Sequence, residues 1–247
     1  IAVLYNMQNM STFDSKIDLN LIENINNIDR LYGTYIFSAI NLTMLSCLSD
    51  GTINPAFKPY IFWPDGIGVK LLSSKISKTP GRDYLNIYIR KWSDSNVKVS
   101  FIGDVSKESH SFLTMSGLNY ENITAPYADY KKISHSVTNQ INSEIIVILL
   151  PTPKQELVAE CILSQKNDKK YQIYCFGGAL NMITGKENIP NLIDKLGFEW
   201  LWRLRYETKR RIIRLYKVIL KIPKIIKFLP YVRINKVGAN WRFDNSR

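Results

Sequence analysis

The chain has 247 residues, 45% of them hydrophobic and 22% charged, which makes one large or two small globular domains with enough apolar material for a core and excludes collagen-like, low-complexity and disordered chains. Thirty-three Lys and Arg against 21 Asp and Glu give a net charge of +12, so an anionic partner is implied. Three widely separated cysteines (Cys47, Cys161, Cys175) make neither a disulfide framework nor a zinc ribbon, and two histidines (His110, His135) are too few for a His-based metal site or a Ser-His-Asp triad.

In chain order, residues 13–30 read as a helix, because Ile17, Leu21, Ile25 and Ile28 recur at helical spacing among polar residues. A β-rich run over 33–40 ends at Asn41. The apolar runs 60–63, 97–102, 145–150 and 171–176 read as further strands. They are stopped by Pro64-Asp65-Gly66, Gly103-Asp104, Pro151-Thr152-Pro153 and Gly177-Gly178 in turn. Helices are expected over about 66–76, 83–94, 106–116, 154–166 and 190–202. Apolar strands alternating with helices predict an α/β fold: a mostly parallel, Rossmann-like sheet with helices on both faces. Ligands of such sheets bind beyond the carboxyl ends of the strands, where these polar, Gly and Pro residues collect. The longest uncharged run, 31–49, contains Asn41, hydroxyls and a Gly, and reads as a buried strand and a helix start, not a membrane span. No leader-like succession opens the chain, so the expected location is the cytoplasm.

The charge is unevenly placed. From Lys195 to Lys236 there are thirteen basic residues against Glu199 and Glu207, so +11 of the net +12 sits in this stretch. The expected division is therefore an α/β catalytic body over 1–194 and a basic, amphipathic, helical C-terminal appendage over 195–247. Arg214, Lys217, Lys221 and Lys224 repeat at helical spacing between large aliphatics such as Ile213, Val218, Ile219 and Ile225, with a break expected near Pro223. So greasy an arm suits the headgroup region of an anionic membrane better than a nucleic acid. Packing on its own core or on a second copy of the chain is the other use of such a helix.

Several nucleotide-binding signatures fail. Gly177–Lys186 has the wrong spacing for a phosphate-binding loop, with Glu187 where a Ser or Thr would hold magnesium, and Gly66-Ile67-Gly68 lacks the third glycine of a dinucleotide fingerprint. No D-x-D occurs, so no metal ligands are expected, and a ligand diphosphate would rely on arginines or helix N-termini for counter-charge.

Three segments, Trp63-Pro-Asp-Gly-Ile-Gly-Val69, Leu150-Pro-Thr-Pro-Lys-Gln-Glu156, and Gly197-Phe-Glu-Trp-Leu-Trp-Arg203 with Glu207-Thr-Lys-Arg210 and Arg214, together resemble the WecG/TagA/CpsF family, glycosyltransferase family 26, over roughly residues 15–220. The resemblance implies an inverting, metal-independent transfer of a sugar from a nucleotide-diphosphate donor such as a UDP-sugar. The acceptor would be a polyprenyl-diphosphate-linked sugar on the inner face of the bacterial membrane, in capsule, O-antigen or related polysaccharide assembly, with no cofactor. By position, Asp65 matches the proposed general base, a role suited to a carboxylate because the acceptor hydroxyl must lose a proton as it attacks. Asn41 and Gln155 match substrate-contacting residues, and Arg203, Arg210 and Arg214 match arginines that close over the site. Lys78 and Asn181 stand at binding positions where relatives carry Arg and Asp; with Ala39, Asn188-Ile189-Pro190 and Thr208 they imply a donor other than N-acetylmannosamine, or a divergent acceptor. A catalytically silent membrane-docking scaffold of the same fold is the alternative from another class.

Overall fold

The computed structural model describes residues 16–22, 33–166, 170–185 and 208–238. Their strands, β1 (Ile17–Leu21), β2 (Tyr35–Ile40), β3 (Tyr60–Pro64), β4 (Val99–Ile102), β5 (Tyr120–Ile123), β6 (Ile145–Ile148), β7 (Gln172–Cys175) and β8 (Val232–Lys236), form a single sheet in the order β5-β4-β6-β7-β2-β3-β1-β8. Every pairing is parallel, as the apolar strands required, since crossover helices must cover both faces of such a sheet.

The covering helices are α1 (Leu42–Ser49), α2 (Gly81–Asp94), α3 (Lys107–Met115), α4 (Tyr130–Thr138), α5 (Lys154–Gln165), α6 (Ala179–Ile183), α7 (Thr208–Leu220) and α8 (Ile222–Phe228). Alternation along the strands divides the core in two. On β2, Ile36 and Ile40 face one apolar layer with Met44 and Leu48 of α1, Ile133 of α4, Val158 and Ile162 of α5, and Ile225 and Phe228 of α8. Tyr35 and Phe37 face the other, with Tyr84, Tyr88 and Trp92 of α2, Leu113 of α3 and Leu180 of α6. The result is a three-layer α/β sandwich of Rossmann type.

Two expectations change. The N-terminal helix expected over 13–30 is replaced by β1 in its described part; positions 13–15 and 23–30 of that expectation lie outside the described residues. Ile17 and Leu21 suit helical spacing, but Ile17, Leu19 and Leu21 also alternate, and the strand pattern wins because both flanks of β1 are occupied, by β3 and β8. The helix expected over 66–76 is only a short 3-10 turn, Ile67–Leu71; the glycines at its start serve close packing, described below. The helix expected over 190–202 lies outside the described residues.

The basic C-terminal stretch is joined to the body. Strand β8 pairs in register with β1 from Ile17↔Val232 to Leu21↔Lys236, and Arg233 reaches Asp18 at 3.6 Å. The side chains of Ile225 and Phe228 on α8 are fully buried. The chain breaks between α7 and α8 at Lys221, and Pro223 falls in the first turn of α8, where its missing N–H costs no hydrogen bond. Phe228→Ala is accordingly expected to destabilise the whole α/β body by about 3–5 kcal/mol, read as a lower midpoint in chemical unfolding followed by tryptophan fluorescence.

Candidate active site at the carboxyl edge

The register Ile40↔Pro64 ends β2 and β3 at the same level. The next residues are Asn41 and Asp65, and the Asp65 N–H donates to the Ile40 carbonyl at 3.1 Å. Gly66 has φ +69°, a conformation that glycine adopts without strain. A β-carbon placed on it would lie 3.9 Å from Cβ of Asn41. Asn41 and the Asp65-Gly66 turn are thus neighbours on one rim.

Gly68 sets how closely they sit. A β-carbon at Gly68 would meet the backbone N of Leu42 at 2.5 Å and its Cα at 2.9 Å. The turn that follows Asp65 therefore rests directly on the backbone at the start of α1. Gly68→Ala is expected to push this turn away, at a cost of about 1–3 kcal/mol, and to displace Asp65 relative to Asn41; a thermal melt and an initial-rate assay would show both losses.

Asn41 caps α1: its Oδ1 accepts from the Met44 N–H at 3.0 Å. Because Oδ1 is held by the cap, the amide NH₂ is the half of the side chain suited to meeting a ligand. Lys78 comes to the same rim through its neighbour, since the Thr79 N–H donates to the Pro64 carbonyl at 2.7 Å. Asn181, on α6, accepts from Ser109 Oγ of α3 at 3.5 Å, on the opposite face of the sheet from α1. His110 is engaged structurally, its Nδ1 lying 2.9 Å from the Tyr120 hydroxyl.

Gln155 sits differently from a side chain that simply faces a ligand. It is 4% exposed, and its whole amide is engaged: Oε1 accepts from the Gly177 N–H at 2.9 Å, and Nε2 donates to Thr152 Oγ1 at 3.1 Å and Glu156 Oε1 at 2.8 Å. It links the end of β6 to the turn after β7. Gly177 has φ +55°, so that turn suits glycine. Lys154 and Glu156, the neighbours of Gln155, are both engaged. Lys154 donates to the Ala128 carbonyl at 2.8 Å. Glu156 is fully buried and accepts from Ser38 Oγ of β2 at 2.7 Å. Burial pushes the Glu156 carboxyl above the ordinary carboxylate range, against the hydrogen bonds from Ser38, Gln155 and Thr152 that pull it down. Thr152 and Glu156 stood in the strings that sequence marked, without a role of their own; Ser38 was not singled out, and its signal was a lone Ser inside the apolar run Tyr35–Ile40. Burial, then the charges of Asp50 and Glu156, raise the Cys47 thiol to about 12, which keeps it an unreactive core residue.

Arg203 lies outside the described residues. Arg210 and Arg214 fall in α7 four residues apart, hence on one side of that helix; their side chains are outside the description. Along the rest of α7, Ile212, Ile213, Tyr216, Ile219 and Leu220 are 46% to 61% exposed, an apolar stripe at helical spacing that the described residues leave uncovered. Lys217 and Lys227 are also exposed. Lys221 instead pairs with Asp50 at the end of α1. Burial would raise the Asp50 carboxyl, but the bonds from Lys221 and Thr52 outweigh it and hold it below its usual value. Lys221 therefore fastens the start of α8 to the end of α1. No described helix is long and apolar enough to cross a membrane, and among the described residues no three His, Cys, Asp or Glu side chains gather as a metal site would require.

Comparison with curated proteins gives no match. The family model described as glycosyl transferase WecG/TagA/CpsF matches residues 18–236, from β1 through the carboxyl-edge turns to β8. The chain belongs to the WecG/TagA/CpsF family of glycosyltransferases.

Proposed function

We propose that the protein transfers a hexose, N-acetylhexosamine or its uronic acid from a UDP-sugar to a polyprenyl-diphosphate-linked sugar. The transfer inverts the anomeric centre, needs no metal, and takes place at the cytoplasmic face of a bacterial membrane during assembly of a surface polysaccharide. The observation that carries the reading is the rim where Asp65 and Asn41 adjoin beyond the Ile40↔Pro64 pair, on a chain whose α7 presents apolar and basic residues to solvent.

In this reading Asp65 takes the proton from the acceptor hydroxyl as its oxygen bonds to the anomeric carbon. The bond from that carbon to the donor's phosphate oxygen breaks on the opposite side, and the electron pair leaves with the nucleoside diphosphate. Asn41 and Lys78 hold the sugar and phosphates, Asn181 lines the donor side, and Gln155 shapes it through the Gly177 turn. Arg203, Arg210 and Arg214 supply positive charge to the leaving diphosphate, a task for which forked guanidinium groups are suited. The 1–194 body carries the chemistry; the 195–247 appendage closes over it and rests on the membrane, with the apolar stripe of α7 toward acyl chains and Lys217 and Lys227 toward anionic headgroups.

The test is a panel of nucleotide sugars incubated with the full-length protein and a lipid-linked acceptor in excess EDTA, with nucleoside diphosphate release and product anomeric configuration as readouts. Acceptor-dependent release from at least one UDP-sugar, with inversion, is expected to persist under chelation. Activity that requires added magnesium or manganese would overturn the metal-independent part; no release from any donor would overturn transfer itself.

A further inference from the structure

We propose that Glu156 is the positioning residue of this site, a buried carboxyl that ties the ends of three adjacent strands to one level through a single oxygen; the link to catalysis rests on the reading above. Glu156 Oε1 receives Ser38 Oγ from β2 at 2.7 Å, Thr152 Oγ1 from the turn after β6 at 3.1 Å and Gln155 Nε2 at 2.8 Å. Gln155 passes the tie to the turn after β7 through the Gly177 N–H. The pair Ser38↔Cys175 puts Gly177 level with Ile40, the residue before Asn41. The carboxyl therefore adds a side-chain tie between the β6 and β7 turns and the strand that carries Asn41, beside Asp65, to the backbone bonds from the Phe176 and Gly177 N–H groups to the Ile148 carbonyl.

This is an expensive way to hold a loop. An isolated buried carboxyl is unfavourable, and a purely apolar side chain of similar size would serve packing as well or better. Among the described residues Glu156 Oε2 is buried and has no hydrogen-bond partner, so the ties described run through Oε1. A fully buried polar group kept in that condition is explained by what its other oxygen orients. Burial favours the neutral acid, and a neutral side chain of the same shape, with one oxygen accepting, should do the same work.

The experiment compares full-length wild type, Glu156→Gln and Glu156→Leu by amide hydrogen exchange, thermal unfolding and initial rates. Glu156→Leu is expected to lower the melting temperature only modestly, because the Ser38, Thr152 and Gln155 donors lose a buried acceptor while the apolar side chain keeps the volume filled. Yet it should speed exchange of the Gly177 amide by about tenfold or more, the scale of one lost buried hydrogen bond, leave the β4 amides unchanged, and lower kcat by at least about tenfold. Glu156→Gln should return both quantities to within about threefold of wild type. Wild-type kcat and wild-type Gly177 exchange in the Leu variant would overturn the proposal, as would a loss of protection of the same size in the β4 amides as at Gly177. If the Leu variant does not fold, Ser38→Ala removes one arm of the tie and is read in the same way. Gly177 exchange needs no substrate, so an absence of turnover in the wild type would sink the proposed reaction while exchange still decides whether Glu156 holds the edge.

Discussion

Asp65→Asn is expected to lower kcat by at least about a hundredfold, the lower range for loss of a positioned general base. The fold should be unaffected, because the change is nearly isosteric and the anchoring bond from the residue 65 N–H to the Ile40 carbonyl is a backbone bond. Donor binding, measured by calorimetry with the nucleoside diphosphate, should change little, so the deficit should fall on turnover. An Asp65→Asn protein with near-normal kcat and an intact melting curve would remove Asp65 from the chemistry. It would also favour the silent-scaffold reading of the family fold.

The second large effect concerns the arm, where the proposed function places two roles on one helix that substitutions can separate. Changing Arg210 and Arg214 together to Gln is expected to cost about a hundred- to a thousandfold in kcat on any acceptor, by removing charge from the leaving diphosphate, with vesicle binding little changed. Changing Lys217 and Lys227 to Gln should weaken binding to anionic vesicles by about 2 kcal/mol, near 1 kcal/mol for each lysine at the surface, with the loss shrinking as salt is raised. Replacing Ile219 and Leu220 by Ser should weaken the same binding without that salt dependence. Neither of these two variants should alter turnover on a short soluble acceptor. Lys221 is left out of the set because its partner is Asp50; substituting it would loosen α8 from α1 and confuse folding with membrane contact. Removal of the whole appendage would confuse them further, since it takes β8 from the sheet and Phe228 from the core. If the arginine pair proves dispensable on the soluble acceptor, the arm is an anchor only.

The family was legible from short strings. Trp63–Val69 and Leu150–Glu156 carry their meaning in the order of a few residues, and the structure puts both at the carboxyl edge, where the strand ends alone had located a site. Within those strings the sequence did not tell a ligand contact from a brace. Gln155 and Glu156 are adjacent, polar and at a helix start, and whether such a side chain meets solvent, substrate or its own core depends on what the sheet places behind it. Here that is Ser38, 118 positions away in the chain.

The same division runs through the fold. The five strands expected from sequence, β2, β3, β4, β6 and β7, are the five contiguous central ones. They are buried on both faces and so are written as unbroken apolar runs. The strands that went unrecognised, β1, β5 and β8, lie at the two sides of the sheet. There one face can stay polar, giving patterns such as Ile-Asp-Leu-Asn-Leu and Val-Arg-Ile-Asn-Lys that a helix or a loop can also carry. Local sequence determined the parallel α/β core, the turn residues at its carboxyl edge and the break near Pro223, because apolar runs, glycine and proline act through their own backbone and immediate neighbours. Tertiary structure alone decided which strands close the sheet, that Lys221 pairs with Asp50, and that Glu156 is buried against Ser38, because each depends on a partner distant in sequence that only the folded chain brings within reach.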